Sequence, residues 1–525
     1  MNLSPTTLEQ IACHGKSAKC PTTPAPAAGG VPSPPLQRGA GSTPGRGVRA
    51  RGQWAILPPD NGGGHALDSG RQQQGIGVAG LARLAPVALG TMIVPLDSSV
   101  NVAFPAIAAA FGLAVPEIQW VVIGYVLTYG SLMLAVGRLG DIFGHARVFR
   151  FGLAWSAVAF VALCLAPDYG TLLAARVLQG IGAALVIGCG PALATSLFPE
   201  ALRARALAAY GAAFAAGAAL GPLLGGVMVG AFGWQGVYGM RVPIALVALL
   251  LLRGVPAAPR DGPREPFDLP GAVLLTAGIA ALLFAVNRAP QGIAAALALS
   301  GALALAGFVW CSGRAARPIM DLSLFRRRGF AALNLGNTLV NFASFAVMLL
   351  GPFWLARVAG LQAIPLGLVL AAAPAGGMLG AWLGGRMVGP LAARTVLLAG
   401  AGLVAAGLLP LAWAGAGTPV AWFAALLALQ GIGIGLFNLA YTDIVTAVMR
   451  REDRGVAGSL TMLTRTLGVV GAASLLTLLF GATEATALAA GRPAQEAFLA
   501  AFGNAFLVAG LLPLLVLPLV ARRAP

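Results

Sequence analysis

From residue 84 to residue 521 the chain is a succession of fourteen apolar runs. Each is near or above the roughly 20 residues that a helix needs to cross the ~30 Å hydrocarbon core of a bilayer. They lie at 84–111, 118–138, 147–166, 169–198, 204–230, 234–253, 269–288, 291–312, 330–356, 361–388, 394–414, 418–449, 455–481 and 497–521, separated by short polar or arginine-bearing breaks. In hydrocarbon every backbone polar group must be bonded internally, so such runs fold as helices or as closed barrels. Barrel strands alternate over about ten residues and show a polar lumen face. These runs are continuous Leu, Ala, Val and Gly, and helices follow. A soluble globule is excluded, because 58% of the residues are hydrophobic and only 10% charged, too little polar surface to cover a core of this size.

The net charge of +17 raises nucleic acid as a partner, and its distribution excludes it. With the N-terminus in the cytoplasm, the inner breaks and the C-terminal tail hold twenty arginines, among them Arg326, Arg327, Arg328, Arg450 and Arg451; the outer breaks hold only Arg288, Arg357 and Arg492. That bias is the positive-inside pattern of an even number of spans. The expectation is a multi-pass protein of the cell (cytoplasmic or inner) membrane with both termini cytoplasmic. Its macroscopic partner is the lipid bilayer.

Residues 1–80 are a different material, a Pro/Gly-rich tail without the unbroken apolar segment of a signal peptide, expected to be disordered and assigned no function; whether it is translated is open. Five dispersed cysteines form neither a disulfide framework nor a metal site, and no cofactor is expected. One histidine, His145, lies beyond the tail, so the clustered nucleophile machinery of a membrane-embedded enzyme is missing. No phosphate-binding loop of the G-x-x-x-x-G-K-[ST] type occurs, which argues against ATP as the energy source.

The chain repeats itself. "LQGIG" stands at 178–182 and again at 429–433, and "GRLGD" from Gly137 pairs with "GRMVG" from Gly385. Equal parity makes these parallel repeats about an axis along the membrane normal. The expected domains are an N-terminal six-helix bundle over 81–253, a linker with an inserted helix pair over 254–329, and a C-terminal six-helix bundle over 330–525.

"LDSSVNVAFPAI" from Leu96, "GRLGDIFGHARVF" from Gly137, "RVLQGIGAA" from Arg176 and "GAALGPLLGG" from Gly217 occur in that order. Together they resemble the motifs of the major facilitator superfamily, in its branch of drug/proton antiporters with fourteen helices (EmrB/QacA type). The resemblance covers residues 84 to 521. It implies proton-coupled efflux of amphiphilic organic compounds by alternating access, with a small-molecule substrate and protons as the ligands; accessory efflux proteins are left open. The alternatives are export of a self-made metabolite or siderophore, and proton-coupled import on the same fold. The resemblance further implies that the 137–149 loop latches the two halves and that the glycine-rich motif acts as a gate.

The residues carry readings of their own. Gly217, Gly221 and Gly225, with Gly226 beside them, make a small-residue strip on one helix face, and Pro222 bends that helix; a gate and a static packing seam both fit the spacing. Gly137 and Gly144 allow a tight turn beside Asp141 and Arg147, while the second copy has Gly389 where the acid would stand. Charges inside the spans are few: Asp97, Arg176, Arg241, Asp443 and Arg465. Each costs ~2.5–3.5 kcal/mol at mid-depth, so each needs a cavity or a partner. At 1.5 Å per residue, Asp97 and Arg176 both lie ~20 Å from the inner face and can meet. Burial disfavours the charged carboxylate and a guanidinium favours it, so Asp97 beside Arg176 can be poised for proton coupling; a permanent salt bridge fixing two helices is the other reading. Asp443 and Arg465 are expected to form a second, structural ion pair. Arg241 is expected to reach outward or to cap carbonyls. Asn334, Asn337 and Asn341 share one helix face and, with Tyr125, Tyr129, Asn438 and Tyr441, are expected to line a substrate cavity suited to monocations or neutral amphiphiles.

Overall fold

The computed structural model describes residues 78–254, 268–287, 291–315, 329–448 and 454–523. The chain divides into Met1–His65 and Ala66–Pro525, and every described residue belongs to the second unit. The expected tail lies outside the described residues except for its last three positions, which already open the first helix. The breaks at 255–267 and 316–328 also lie outside them.

The described residues are helical: α1 Val78–Met92, α2 Ser99–Phe111, α3 Gln119–Phe143, α4 His145–Cys164, α5 Tyr169–Ser196, α6 Glu200–Phe232, the single turn α7 Gly236–Gly239, α8 Arg241–Leu251, α9 Leu269–Asn287, α10 Gln291–Ser312, α11 Phe330–Arg357, α12 Ala363–Met387, α13 Ala393–Leu408, α14 Val420–Val448, α15 Arg454–Ala489 and α16 Ala494–Arg523. Among the described residues there is no strand, only an isolated bridge between Val388 and Leu391. With α1 and α2 taken as one broken helix, and α7 with α8 as another, helical segments stand at all fourteen apolar runs. Twelve of them are long and apolar enough to cross a membrane over their described residues. The other two are α3 and α9.

The segment ends agree with the sequence reading to within a few residues, except at α15, which continues to Ala489 rather than ending near 481. The packing is that of a bilayer protein. Phe151, Leu165, Leu299, Leu303, Trp382 and Leu475 are exposed, a distribution that hydrocarbon satisfies and water does not. Inside, large rings fill the core, as where Trp354 stacks on Phe423 at 4.5 Å and 11°.

Contacts between helices explain the repeat. Where a Cβ on Gly180 would stand, Thr128 of α3 is 2.7 Å away, and Gly182 seats Ser156 of α4. In the second copy Gly431 seats Ala373 and Gly377 of α12, and Gly433 seats Gly400 and Val404 of α13. Each "LQGIG" therefore lets one helix press its backbone between two neighbours, which is why both copies keep glycine at those positions.

Across the repeat, α6 packs on α12, α3 on α15 and α2 on α11. A Cβ on Gly226 would lie 2.6 Å from the Ala363 carbonyl oxygen. At the same end of the helices the Thr477 hydroxyl donates to Gln119 Oε1 at 2.8 Å, and Pro116 covers Gly481. That end of the seam is closed.

Candidate transport site

The first apolar run is not one helix. α1 stops at Met92, a turn at Ile93 and Val94 follows, and Pro95–Ser98 forms a tight 3-10 turn before α2 resumes at Ser99. Pro95 lacks the amide needed to continue α1, so the break has a covalent cause. Asp97 sits inside it.

The glycine strip of α6 is the bed for this break. A Cβ on Gly217 would come within 2.7 Å of the Met92 carbonyl oxygen, one on Gly225 within 2.7 Å of the Ser99 carbonyl oxygen, and Gly221 lies directly against Ser98. The Ser98 hydroxyl donates to the Ala218 carbonyl at 3.1 Å, giving the turn a polar anchor on α6. The residues expected as a packing strip are one, and what they pack is the segment that carries the buried acid. Gly226 and Pro222 face the other way, onto Ala363 and Gly367 of α12.

Four donors converge on Asp97. Arg176 of α5 is bidentate, with one terminal nitrogen donating to Oδ1 at 2.8 Å and the other to Oδ2 at 2.9 Å. Gln179 Nε2 donates to Oδ1 at 2.9 Å, and Arg241 of α8 donates to the same oxygen at 2.7 Å. Each arginine is held from behind: Arg176 Nε donates to the Val121 carbonyl at 2.8 Å, and Arg241 Nε donates to the Val237 carbonyl at 3.0 Å. Rings cover the guanidinium groups, Tyr125 at 4.5 Å from the Arg176 carbon and Phe160 at 5.1 Å from that of Arg241. Both arginines are buried, whereas 13% of the Asp97 side chain stays accessible. One carboxylate against two guanidinium groups leaves the cluster with one excess positive charge.

Residues 87–473 match the model of the Major Facilitator Superfamily. The chain belongs to that superfamily. It is 32% identical over 396 residues to the multidrug resistance protein Stp of Mycobacterium tuberculosis (strain CDC 1551 / Oshkosh), covering 74% of this chain and 73% of the relative. It is 34% identical over 461 residues to the cephamycin export protein CmcT of Amycolatopsis lactamdurans, covering 82% and 91%. Among solved structures, that of the POT family transporter PepTSo superposes with a TM-score of 0.62 at 15% identity, over 84% of this chain and 98% of the other, a likeness of fold alone. The chain is accordingly a multi-pass membrane transporter and not an enzyme.

In this facilitator Asp97 and Arg176 meet, as their depths along the spans permit. Arg241 departs from expectation, since it turns inward to join Asp97 and Ser99 rather than outward or onto neighbouring carbonyls alone. Depth along a span fixes height but not rotation, and the packing of α8 on α1 and α4 sets the rotation. Gln179 was visible only as part of a repeated motif; its counterpart Gln430 is also buried, but Leu427 stands where the repeat would put a second Arg176, so the charged cluster has no twin.

The pair Asp443 and Arg465 does not form. Both side chains are exposed, no ion pair joins them, and Arg465 stands within electrostatic reach of Tyr129 on α3. The asparagines also depart from the expected cavity lining. Asn334, Asn337 and Asn341 are buried, and Tyr441 donates to Asn334 Oδ1 at 2.9 Å, Asn337 Nδ2 donates to the Thr464 hydroxyl at 2.8 Å, and Asn341 Nδ2 to the Asn337 carbonyl at 2.8 Å. Polar groups in a membrane are satisfied by a neighbouring helix as well as by a cavity, and here they tie α11 to α14 and α15. Asn438 is half-buried on α14, while the rings of Tyr125 and Tyr129 meet at 5.2 Å, tilted by 50°, beside the charged cluster.

In the expected latch, Gly144 takes φ +89 and links α3 directly to α4, whose first residue His145 lies 3.4 Å from Asp141 through Nε2. Gly137 has open space around it, and Arg147 is exposed. Gly389 takes φ +124, a conformation that an Asp would adopt only under strain, which accounts for the lost acid of the second copy.

Proposed function

We propose that this transporter exports amphiphilic organic compounds in exchange for protons across the cytoplasmic membrane, with both termini cytoplasmic and all fourteen helical segments crossing. On this reading 81–253 and 330–525 are the two bundles that rock against each other, and 254–329 carries the inserted pair. The observation that carries the proposal is the sharing of Asp97 by Arg176 and Arg241 from two different helices, at a break in a third. Protonation of Asp97 removes the charge that holds both guanidinium groups, so proton binding and helix rearrangement are one event. The closed seam at Gly226, Ala363 and Gln119 supports a molecule caught in one of two access states. Segment 137–149 is the proposed latch, and the α6 glycines the gate that seats Asp97.

The energy would come from the proton gradient and from the membrane potential, ~2.3 kcal/mol per charge per 100 mV. Relatives named for multidrug resistance and for cephamycin export support outward transport. The test is Asp97→Asn in everted vesicles. Proton-driven uptake of a fluorescent substrate is expected to vanish, while substrate exchange without a gradient persists. Retained pumping by the variant would falsify the proton-carrying role.

A further inference from the structure

The charge balance of the interior is opposite to what a single buried acid implies. Asp97 already takes four donors on its two oxygens, although 13% of its side chain stays accessible. Arg465 has no carboxylate partner among the described residues: no hydrogen bond or ion pair among them engages it, although it lies in the apolar stretch Thr461–Ala489, long enough to span a membrane.

Its direction follows from its neighbours on α15. Thr464 turns to α11, where it accepts from Asn337, and Thr466 turns to α3, where its methyl carbon would be 2.6 Å from a Cβ on Gly130. Each is about 100° from Arg465 around the helix, so the guanidinium points into the wedge between α11 and α3. Leu467 and Leu478, about 200–220° away, are the exposed apolar face. Arg465 is therefore exposed on the inner side of its helix, not to lipid.

What it faces is aromatic. Tyr129 is within its electrostatic reach, Tyr125 meets Tyr129 with ring centroids 5.2 Å apart and planes tilted by 50°, and Arg176 covers Tyr125 at 4.5 Å. A ladder of two rings thus runs from Arg465 to the Asp97 cluster, with an uncompensated positive charge at each end. The other acids near these helices lie elsewhere: Glu117 and Asp141 stand at the two ends of α3, Asp443 is exposed on α14 and unpaired with Arg465, Asp268 accepts from the Gly271 amide at the start of α9, and Glu484 is within electrostatic reach of Arg357.

We propose that Arg465 and Tyr129 form a binding site for an aromatic organic anion, the carboxylate seated on Arg465 and the ring on the partly exposed Tyr129, with the buried Tyr125 backing it. The site rests on the transport reading above and specifies its cargo. A cation would meet net positive charge and would have to displace an arginine from Asp97, whereas a carboxylate supplies the partner that Arg465 lacks.

The test uses the purified full-length protein and three naphthalene probes of one shape: 2-naphthoate, neutral 2-naphthylmethanol and cationic 2-naphthylmethylammonium. Calorimetric titration is expected to give naphthoate an affinity about tenfold or more above either isostere. Arg465→Gln is expected to remove that advantage, Arg465→Lys to keep most of it, and both variants to melt with the parent, because Arg465 has no bond in the fold to lose. Preference for the ammonium probe, unchanged naphthoate binding in Arg465→Gln, or no naphthoate binding by the parent overturns the proposal. Arg465-dependent binding of naphthoate without proton-driven efflux sinks the transport reading and leaves this site standing. Proton-driven efflux of the ammonium probe that ignores Arg465→Gln does the reverse.

Discussion

Arg176 and Arg241 both neutralise Asp97, yet their removal is expected to differ in cost, and the difference can be worked from the bonds. Arg176→Gln deletes two charged hydrogen bonds to Asp97, including the one to Oδ2, together with the bond to the Val121 carbonyl. Asp97 is left with Arg241 and Gln179 on one oxygen. Arg241 still matches its charge, so the cost is that of two charged hydrogen bonds at ~1.5–3 kcal/mol each, or ~3–6 kcal/mol. Arg241→Gln deletes one bond to Asp97 and a long 3.3 Å bond to Ser99, and leaves a bidentate pair of matched charge behind. Its cost is expected near that of one charged hydrogen bond, ~1.5–3 kcal/mol.

The double variant Asp97→Asn/Arg241→Gln leaves a single unpaired guanidinium, where Asp97→Asn alone leaves two. A double-mutant cycle should accordingly show favourable coupling between residues 97 and 241 of ~0.5–3 kcal/mol. The assay is reversible denaturation of the purified protein in detergent for the parent, the three single variants and the double. Equal costs for Arg176→Gln and Arg241→Gln, or strict additivity of Asp97→Asn with Arg241→Gln, would refute the idea of one three-residue cluster.

Three further outcomes are expected. Gly225→Ala puts a methyl group against the Ser99 backbone and should destabilise by ~1–3 kcal/mol while lowering transport more than Gly211→Ala, whose position is open; equal effects of the two would remove the glycine bed from the mechanism. Asp168, between α4 and α5, accepts from the Thr171 amide at 2.9 Å and the Thr171 hydroxyl at 2.8 Å, which hold its carboxyl below the ordinary value of 3.8. A lowered folded-state value means that the stabilisation is present above the ordinary value and is lost as pH falls through the folded one. The melting gap between the parent and Asp168→Ala should therefore close on acidification, and a gap that does not change with pH would contradict the capping role. Deletion of residues 1–75 should leave efflux unchanged in vesicles, and its loss would give the tail a function.

The legible part of the site was what depth alone determines. Asp97 and Arg176 could be matched in height by counting residues, because a helix rises a fixed distance per residue. Arg241 and Arg465 were misassigned because height says nothing about rotation. One turns to Asp97 and the other to Tyr129 according to which neighbours α8 and α15 pack against. The asparagines of α11 failed for a related reason: a polar stripe requires partners, but the sequence does not say whether those are water or Thr464 and Tyr441.

Apolar run length and arginine bias by themselves determined that this chain is a helical, multi-pass membrane protein, since hydrocarbon admits no other backbone solution for such runs. Motif order carried the superfamily, and the doubled "LQGIG" carried the repeat. Only the tertiary structure decided that Pro95 breaks the first helix, that the α6 glycines cradle the break, and that two arginines share one acid while a third has none. Those outcomes depend on side chains from helices 79 to 144 residues apart meeting at one point, and no local pattern encodes the angle at which distant helices face each other.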